Sequence, residues 1–331
     1  MQNVHWGLIG CGNVTERKSG PAFSKIDGSK LVAVMRRDAQ KAKDYALRHG
    51  IPKWVDDADK LIEDPDVNAI YIATPPDSHA TYTIKAAQAG KPVYVEKPMA
   101  RTYSECQHML AACEKAGVPL FVAYYRRRLP CFLKVKKLLE SDAIGKVRMV
   151  NVQLYYPPRS EDFQRENLPW RVCPDISGGG YFFDLASHQL DFLDFFFGPI
   201  VSVLGMADNQ ARLYSAEDIV SAFFRFESGV VGCGSWCFTV SPACRRDRVE
   251  IFGSRGRLRF SSFNHSVPIQ LTTEEKVEDI AFSTPEHVQQ PLIQTIVDEL
   301  LGRGQCPSTG VSAARTNRVM DEIVREWRKV S

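Results

Sequence analysis

Over roughly its first 120 residues the chain alternates short apolar runs with helix-length segments, and most of these breaks fall on glycine or proline. Runs at 4–9, 31–34, 67–73, 93–95 and 120–123 read as strands, and segments 39–49, 77–89 and 104–116 read as helices. Gly50, Gly90 and Gly117 fall just past those helices, where a left-handed residue closes the last turn. Apolar runs without polar alternation are buried on both faces, which is the environment of a parallel sheet. Strand–helix alternation of this length predicts a doubly wound α/β domain.

The first run leads into Gly10-Cys11-Gly12. Two alternating glycines allow a tight turn and let the backbone approach a pyrophosphate closely. The third position of that fingerprint holds Thr15 in place of Gly or Ala, and Gly20-Pro21 should interrupt any helix beginning at Asn13. A helix starting afresh with Pro21 at its first position would lengthen the phosphate loop. About 20 residues past such glycines an NAD site usually places Asp or Glu on the ribose hydroxyls. Here Met35-Arg36-Arg37 occupies that place and Asp38 follows. A guanidinium pairs with a 2′-phosphate and a carboxylate repels it, so Arg36 and Arg37 favour NADP over NAD. The alternative is two solvated arginines, with Asp38 turned back to the ribose.

The strand at 93–95 ends abruptly in Glu96-Lys97-Pro98. Ligands of open α/β sheets bind at the carboxyl ends of the strands, so Lys97 falls where chemistry is expected. A strand-end lysine reaching into solvent is the competing interpretation.

The second half is strand-rich, with strands expected at 147–156, 201–210, 219–226, 230–238, 248–252, 257–260 and 268–272. Glu227-Ser228-Gly229 and Gly253-Ser254-Arg255-Gly256 read as hairpin turns. These features predict an α+β domain with a large, mainly antiparallel open sheet, one face of which is solvated or packed on another subunit. Ser177-Gly178-Gly179-Gly180 launches a helix that stops before Gly198-Pro199. That helix is apolar around most of its circumference, yet Asp184, His188 and Asp191 recur at i, i+4 and i+7. Buried polar groups need partners or an aqueous cleft, and a substrate cleft is the economical reading. A satisfied structural network or a metal set are the alternatives. Two more helices are expected at 291–301 and 313–328. The division drawn from these patterns is 1–123 for nucleotide binding and 124–331 for substrate binding and oligomerisation.

Forty-two basic against 39 acidic residues leave a net charge of +3, too balanced for a nucleic-acid surface. Nine cysteines without paired metal spacing suggest free thiols in a reducing cytoplasm. The most apolar stretch, 181–197, is broken by Asp184, His188, Asp191 and Asp194, which argues against a membrane span. The first residues lack the pattern of a secretory signal.

Together, Gly10-Cys11-Gly12, Ala73-Thr74-Pro75-Pro76 with His79, Glu96-Lys97-Pro98, Trp170-Arg171, and Gly178-Gly179-Gly180 leading to Asp184 and His188 carry a resemblance. The chain resembles the Gfo/Idh/MocA oxidoreductases over essentially its whole length. The resemblance implies a Rossmann domain followed by an open-sheet substrate domain. It also implies an NAD(P)-dependent enzyme moving a hydride between the nicotinamide and a secondary alcohol or carbonyl of a sugar, polyol or cyclitol. Cofactor contacts are implied for Gly10, Gly12, Asn13, Val14, Arg36 and Arg37, and for Ala73, Thr74, Pro75, His79, Glu96 and Lys97. Substrate contacts are implied for Lys97, Tyr125, Trp170, Arg171, Asp184 and His188, with no metal. Lys97, Asp184 and His188 are the expected catalytic set, with His188 the general base. The family's Asn-x-Arg-Phe pattern falls on Tyr125-Arg126-Arg127-Arg128, where Arg127 alone agrees. A homodimer or homotetramer through the open sheet face is the expected assembly. Two other readings stay open: an NADP enzyme for trans-dihydrodiols or other small carbonyl compounds, and a non-catalytic NAD(P)-responsive regulator.

Overall fold

A computed structural model describes residues 2–329. Two units share the chain: the first takes the described residues up to Leu129 together with Pro285–Ala314, and the second takes Pro130–Thr284 and the described residues from Arg315 onward.

The first unit holds strands β1 (Val4–Ile9), β2 (Ser29–Met35), β3 (Lys53–Val55), β4 (Ala69–Ile72), β5 (Val93–Val95) and β6 (Leu120–Val122). They pair in the order β3-β2-β1-β4-β5-β6, every pair parallel. Connecting them are α1 (Asn13–Arg17), α2 (Gly20–Phe23), α3 (Ala39–His49), α4 (Ala58–Glu63), α5 (His79–Gln88) and α6 (Tyr103–Ala116). The expected doubly wound sheet is present, with its switch point between β1 and β4. Strand β3 and helix α4 were not anticipated: β3 is three residues long and Trp54 within it is exposed. One face of the sheet packs Ile9, Ile70, Ile72, Val93 and Val95 against Met99, Met109 and their neighbours. The other face stacks Trp6, Phe23, Tyr71 and Tyr94, with ring centroids 4.8–6.5 Å apart. The register pairs Ile9 with Ile72 and Ile72 with Val95, so Gly10, Ala73 and Glu96 leave the sheet side by side.

The second unit holds α7 (Pro130–Glu140), β7 (Val147–Tyr155), α8 (Pro174–Ser177), a π-helical turn Phe182–Ala186 and α9 (Ser187–Phe197). Strands β8 (Ile200–Asp208), β9 (Ile219–Phe226), β10 (Val231–Cys237), β11 (Arg246–Gly253), β12 (Gly256–Phe260), β13 (Ile269–Thr273) and β14 (Val277–Ile280) follow. Their order is β14-β13-β12-β11-β7-β10-β9-β8, antiparallel except for the β7–β10 pair. This is the mainly antiparallel sheet expected, with α7 and β14 added. Alternation is clean: Val220, Ala222, Phe224 and Phe226 of β9 point inward, while Ser221, Phe223 and Arg225 are exposed. Phe132 of α7, Phe192 of α9 and Phe260 of β12 form an aromatic layer over the inner face.

After β14 the chain returns to the first unit, where α10 (Gln290–Leu300) and the start of α11 (Gly310–Ile323) lie. Phe121 of β6 makes a single antiparallel bridge to Thr309 there. The linear division at 123/124 does not contain this return. The last helix, expected at 313–328, ends at Ile323, and a short 3₁₀ turn Trp327–Lys329 follows.

Candidate active site

The glycine turn after β1 is built by close approach. Gly10 has φ +93°, and a Cβ there would lie 2.7 Å from Thr74 Cγ2 and 2.9 Å from Thr74 N. Glycine is therefore required both for the backbone angle and for packing against the β4 end. Gly12 is different: a Cβ there would meet nothing nearer than Gly10 O at 3.9 Å, so that side of the turn is open. The departure at the third fingerprint position has a structural reason. Thr15 is fully buried; its Oγ1 accepts from Gly12 N at 3.1 Å and its hydroxyl donates to Gly12 O at 2.9 Å. Gly20 is equally constrained, since its Cβ would fall 2.2 Å from Thr15 O and 2.4 Å from the Tyr45 hydroxyl. The helix does break, after Arg17, and restarts as α2 at Gly20, which puts Pro21 second and not first. Asn13 and Val14 open α1, where amides have no i−4 acceptor within the helix. Glu16 ties α1 to α3 through both Arg48 Nη atoms and His49, and the Arg48 hydrogen bonds lead in holding its carboxyl down at about 2.

The two arginines after β2 have separate positions. Arg36 is half-buried and its Nη1 donates to Cys11 O at 3.0 Å, so it braces the glycine turn. Arg37 is exposed and lines a groove of about 470 Å³ with Met35, Asp56, Asp57, Tyr82 and Lys85. Asp38 is committed elsewhere: it caps α3, accepting from Lys41 N at 3.1 Å and pairing with Lys41 Nζ at 3.0 Å.

The ends of β4 and β5 form the neighbouring loops. Ala73 N donates to Ile9 O and Glu96 N donates to Ile72 O, extending the sheet by one residue each. Thr74 is held by Ser78, whose hydroxyl donates to Thr74 Oγ1 at 2.7 Å. His79 is fully buried behind these loops. Its Nε2 lies 2.8 Å from Thr74 O, and its Nδ1 lies 3.1 Å from Pro98 O and 3.3 Å from Met99 O. The Lys97–Pro98 peptide is cis, and Lys97 is half-buried. The Glu96 side chain points into the protein: Oε1 accepts from the Tyr71 hydroxyl at 2.8 Å and from Gln289 Nε2 at 2.7 Å, and Oε2 accepts from Lys97 N at 3.2 Å. Gln289 in turn accepts from the Tyr94 hydroxyl at 2.7 Å. Burial and then the Glu96 charge push both tyrosines well above the usual phenol range. Tyr125 is buried in a 3₁₀ turn after β6, with the Arg126 guanidinium 5.2 Å from its ring centre.

In the second unit the triple glycine is a tightly packed turn. Gly178 has φ +85°. A Cβ on Gly179 would fall 2.2 Å from the Phe183 ring, and one on Gly180 would fall 2.7 Å from Glu217 O. Gly180 N donates to Glu217 Oε1 at 2.8 Å, while the Arg328 guanidinium donates to Gly178 O and lies 4.8 Å from the centre of the Phe183 ring. Tyr181 then donates to Asp162 Oδ1 at 2.6 Å. Asp184 lies in the π-helical turn and His188 at the start of α9, so the helix expected to run straight through is widened where the polar stripe begins. Asp184, His188 and Asp191 are all buried, as the pattern predicted. Arg171 Nε lies 3.2 Å from Asp184 Oδ2, and its guanidinium covers the Trp170 ring at 4.4 Å. Thus Trp170, Arg171 and Asp184 come together within this unit, with His188 about one turn further along the same helical segment.

Several supporting residues escaped the sequence reading. Phe263 lies edge-on to His188, with ring centroids 6.2 Å apart, and Tyr156 lies 6.5 Å from Phe263. Asp247 fixes that loop by accepting from Ser262 N, Phe263 N and the Ser261 hydroxyl. Their spacing along the chain carried no signal, because strand pairing brings them to the helix. Among the described residues no three His, Cys, Asp or Glu side chains form a metal-holding group, and no helix is long and apolar enough to cross a membrane.

A parallel sheet in this strand order, with a two-glycine turn at its central strand, defines a dinucleotide-binding protein. Residues 4–124 match the oxidoreductase family with an NAD-binding Rossmann fold, and residues 132–259 match the Gfo/Idh/MocA C-terminal domain. The chain is 39% identical to oxidoreductase P35 of Formosa agariphila, over 96% of its own length and 97% of that protein. It is 27% identical to the scyllo-inositol 2-dehydrogenase (NAD(+)) of Bacillus subtilis, over 92% and 88% of the two chains. Its fold matches a levoglucosan dehydrogenase solved with NADH and levoglucosan at a TM-score of 0.88, with 22% identity over 100% and 98% of the chains. The chain belongs to the Gfo/Idh/MocA family of oxidoreductases.

Proposed function

We propose that this oxidoreductase interconverts a secondary hydroxyl and a carbonyl on a sugar, polyol or cyclitol, with NADP(H) preferred over NAD(H). The carrying observation is the buried Asp184 and His188 pair beside Arg171 and Trp170, in a chain that also keeps Lys97 at the carboxyl end of a dinucleotide-binding sheet. Named relatives act on such compounds: an inositol dehydrogenase and a 1,5-anhydro-D-fructose reductase.

The glycine turn fits a dinucleotide, because Gly12 leaves open the side that any larger residue would fill. Gly10, Gly12 and the amides of Asn13 and Val14 would hold its pyrophosphate. Arg37, with Arg36 behind it, would meet the ribose end. Ala73, Thr74, Pro75, Glu96 and Lys97 would line the remainder, with Glu96 and His79 acting from behind the loops. When bound, the nicotinamide supplies hydride-transfer chemistry.

In this reading His188 takes the proton of the substrate hydroxyl in oxidation and returns it in reduction. Lys97 donates to a substrate oxygen and stabilises developing negative charge there. Asp184, steadied by Arg171, orients the imidazole or receives a neighbouring hydroxyl. Trp170 offers an apolar face to a sugar ring. The open sheet face serves as a homo-oligomer contact, since Met149, Leu204, Phe223 and Val231 line a shallow apolar groove of about 360 Å³ there.

Nicotinamide absorbance followed across a panel of polyols, cyclitols and aldoses with each cofactor tests the proposal. Oxidation of at least one member supports it. Tight cofactor binding with no turnover, together with capture of a protein partner, would favour a regulator instead.

A further inference from the structure

His79 presents an unusual accounting problem. It has no exposed surface, and both ring nitrogens face backbone carbonyls, Thr74 O on one side and Pro98 O and Met99 O on the other. A neutral imidazole carries one N–H, so it can bond one of these loops and must turn a lone pair towards the other. An imidazolium donates to both. Burial holds the ring below the usual histidine range, opposed by the three carbonyls and by the charge of Glu96 two residues before Pro98. At neutral pH the ring therefore carries one proton, shared between two loops that leave the sheet from adjacent strands, β4 and β5.

We propose that His79 is a positioning residue that clasps the Thr74 and Pro98 loops, and that dinucleotide binding draws a second proton onto its ring. The inference rests on the reading of these loops as cofactor-binding. With both nitrogens donating, the loops are tied together; with one, a loop is loose. The negative charge of a bound pyrophosphate favours the protonated ring further. Proton uptake and cofactor affinity are then linked, each strengthening the other.

Calorimetric titration with NAD⁺ tests this, because that dinucleotide lacks the titrating 2′-phosphate. The wild-type chain should bind about three- to tenfold more tightly at pH 5.5 than at pH 8, the range of one added hydrogen bond. Binding heats measured in buffers of different ionisation enthalpy should reveal net proton uptake. His79→Gln, which can donate from one nitrogen only, should bind with neither the pH slope nor the uptake. Nitrogen-15 spectra of wild-type imidazoles, with the His79 ring assigned by through-bond correlation to its own backbone amide, give a second test should that variant fold poorly. One ring should gain a second N–H when NAD⁺ is added at pH 6. An equal pH slope in both proteins, or a His79 ring that stays singly protonated with NAD⁺ bound, would overturn the proposal. Absence of NAD⁺ binding at every pH would overturn the cofactor reading itself.

Discussion

Glu217 Oε1 and Gly180 N are joined by a hydrogen bond of 2.8 Å, side-chain carboxylate to backbone amide, at the turn that launches the Asp184 and His188 helix. Burial pushes the Glu217 carboxyl up to about 6 from an ordinary 4.5, despite that bond and the Arg328 charge. The folded chain thus holds this proton more tightly than the unfolded chain. The resulting stability is fully present below pH 4.5 and is lost as pH rises through about 6, a swing of roughly 2 kcal/mol. Glu217→Gln keeps an acceptor for Gly180 and removes the charge. Urea unfolding should show the variant gaining about 2 kcal/mol on the wild type between pH 4.5 and 7.5. A difference constant across that range would refute the assignment.

Arg171 steadies Asp184 from a partly exposed position, so its loss should touch catalysis more than stability. Arg171→Met is expected to lower kcat by about 10- to 100-fold while the denaturation midpoint barely moves. Steady-state kinetics beside a urea curve decide it; a large stability loss with normal kcat would make the pair structural.

Lys97→Met and His188→Ala should each reduce kcat by about 10²- to 10⁴-fold, the usual range for a lost charge-stabilising donor or acid–base group. Dinucleotide affinity, read by fluorescence titration, should change less than threefold in the His188 variant. Normal turnover in either variant removes that residue from the mechanism.

The two arginines after β2 should separate in their effects. Arg37→Asp should weaken NADP(H) binding at least about tenfold and leave NAD(H) binding nearly unchanged. Arg36→Ala should weaken both, because Arg36 braces the glycine turn through Cys11 O. Tighter binding of NADH than NADPH by the wild-type chain would end the argument for NADP preference.

On the open sheet face, Leu204 is 76% exposed and Phe223 69%. Leu204→Asp with Phe223→Asp should convert an oligomer into monomers by light scattering, without loss of fold by circular dichroism. An unchanged mass would place the subunit contact elsewhere.

Much of this was legible in the residues because local rules agree with the fold. The apolar runs that became β1, β2, β4, β5 and β6 are buried on both faces, and Gly50 and Gly117 close α3 and α6 in the left-handed conformation. Asp184 and His188 stood out because carboxylate and imidazole are conspicuous on a greasy helix. What escaped depends on distant pairing. β3 is too short and too exposed to show a pattern, and nothing near Gln289 in sequence announces that it bonds Glu96. Asp38 looked available to a ribose, but its neighbour Lys41 makes it a helix cap. Thr15 looked like a defect in the glycine fingerprint and is instead the stitch that closes the turn.

The bond from Gln289 to Glu96 also imposes an order on biosynthesis. The carboxylate beside Lys97 is buried with Tyr71 and Gln289 as donors, and Gln289 lies far downstream. A ribosome making roughly 5–20 residues each second needs on the order of ten seconds to travel from Leu129 to that glutamine. During that interval the nascent nucleotide-binding sheet holds a buried carboxylate that lacks one of its three donors. Full maturation of the Lys97 loop therefore waits on nearly the whole message being read, and a nascent chain stalled before Gln289 should bind dinucleotide poorly although every glycine of the fingerprint is already made.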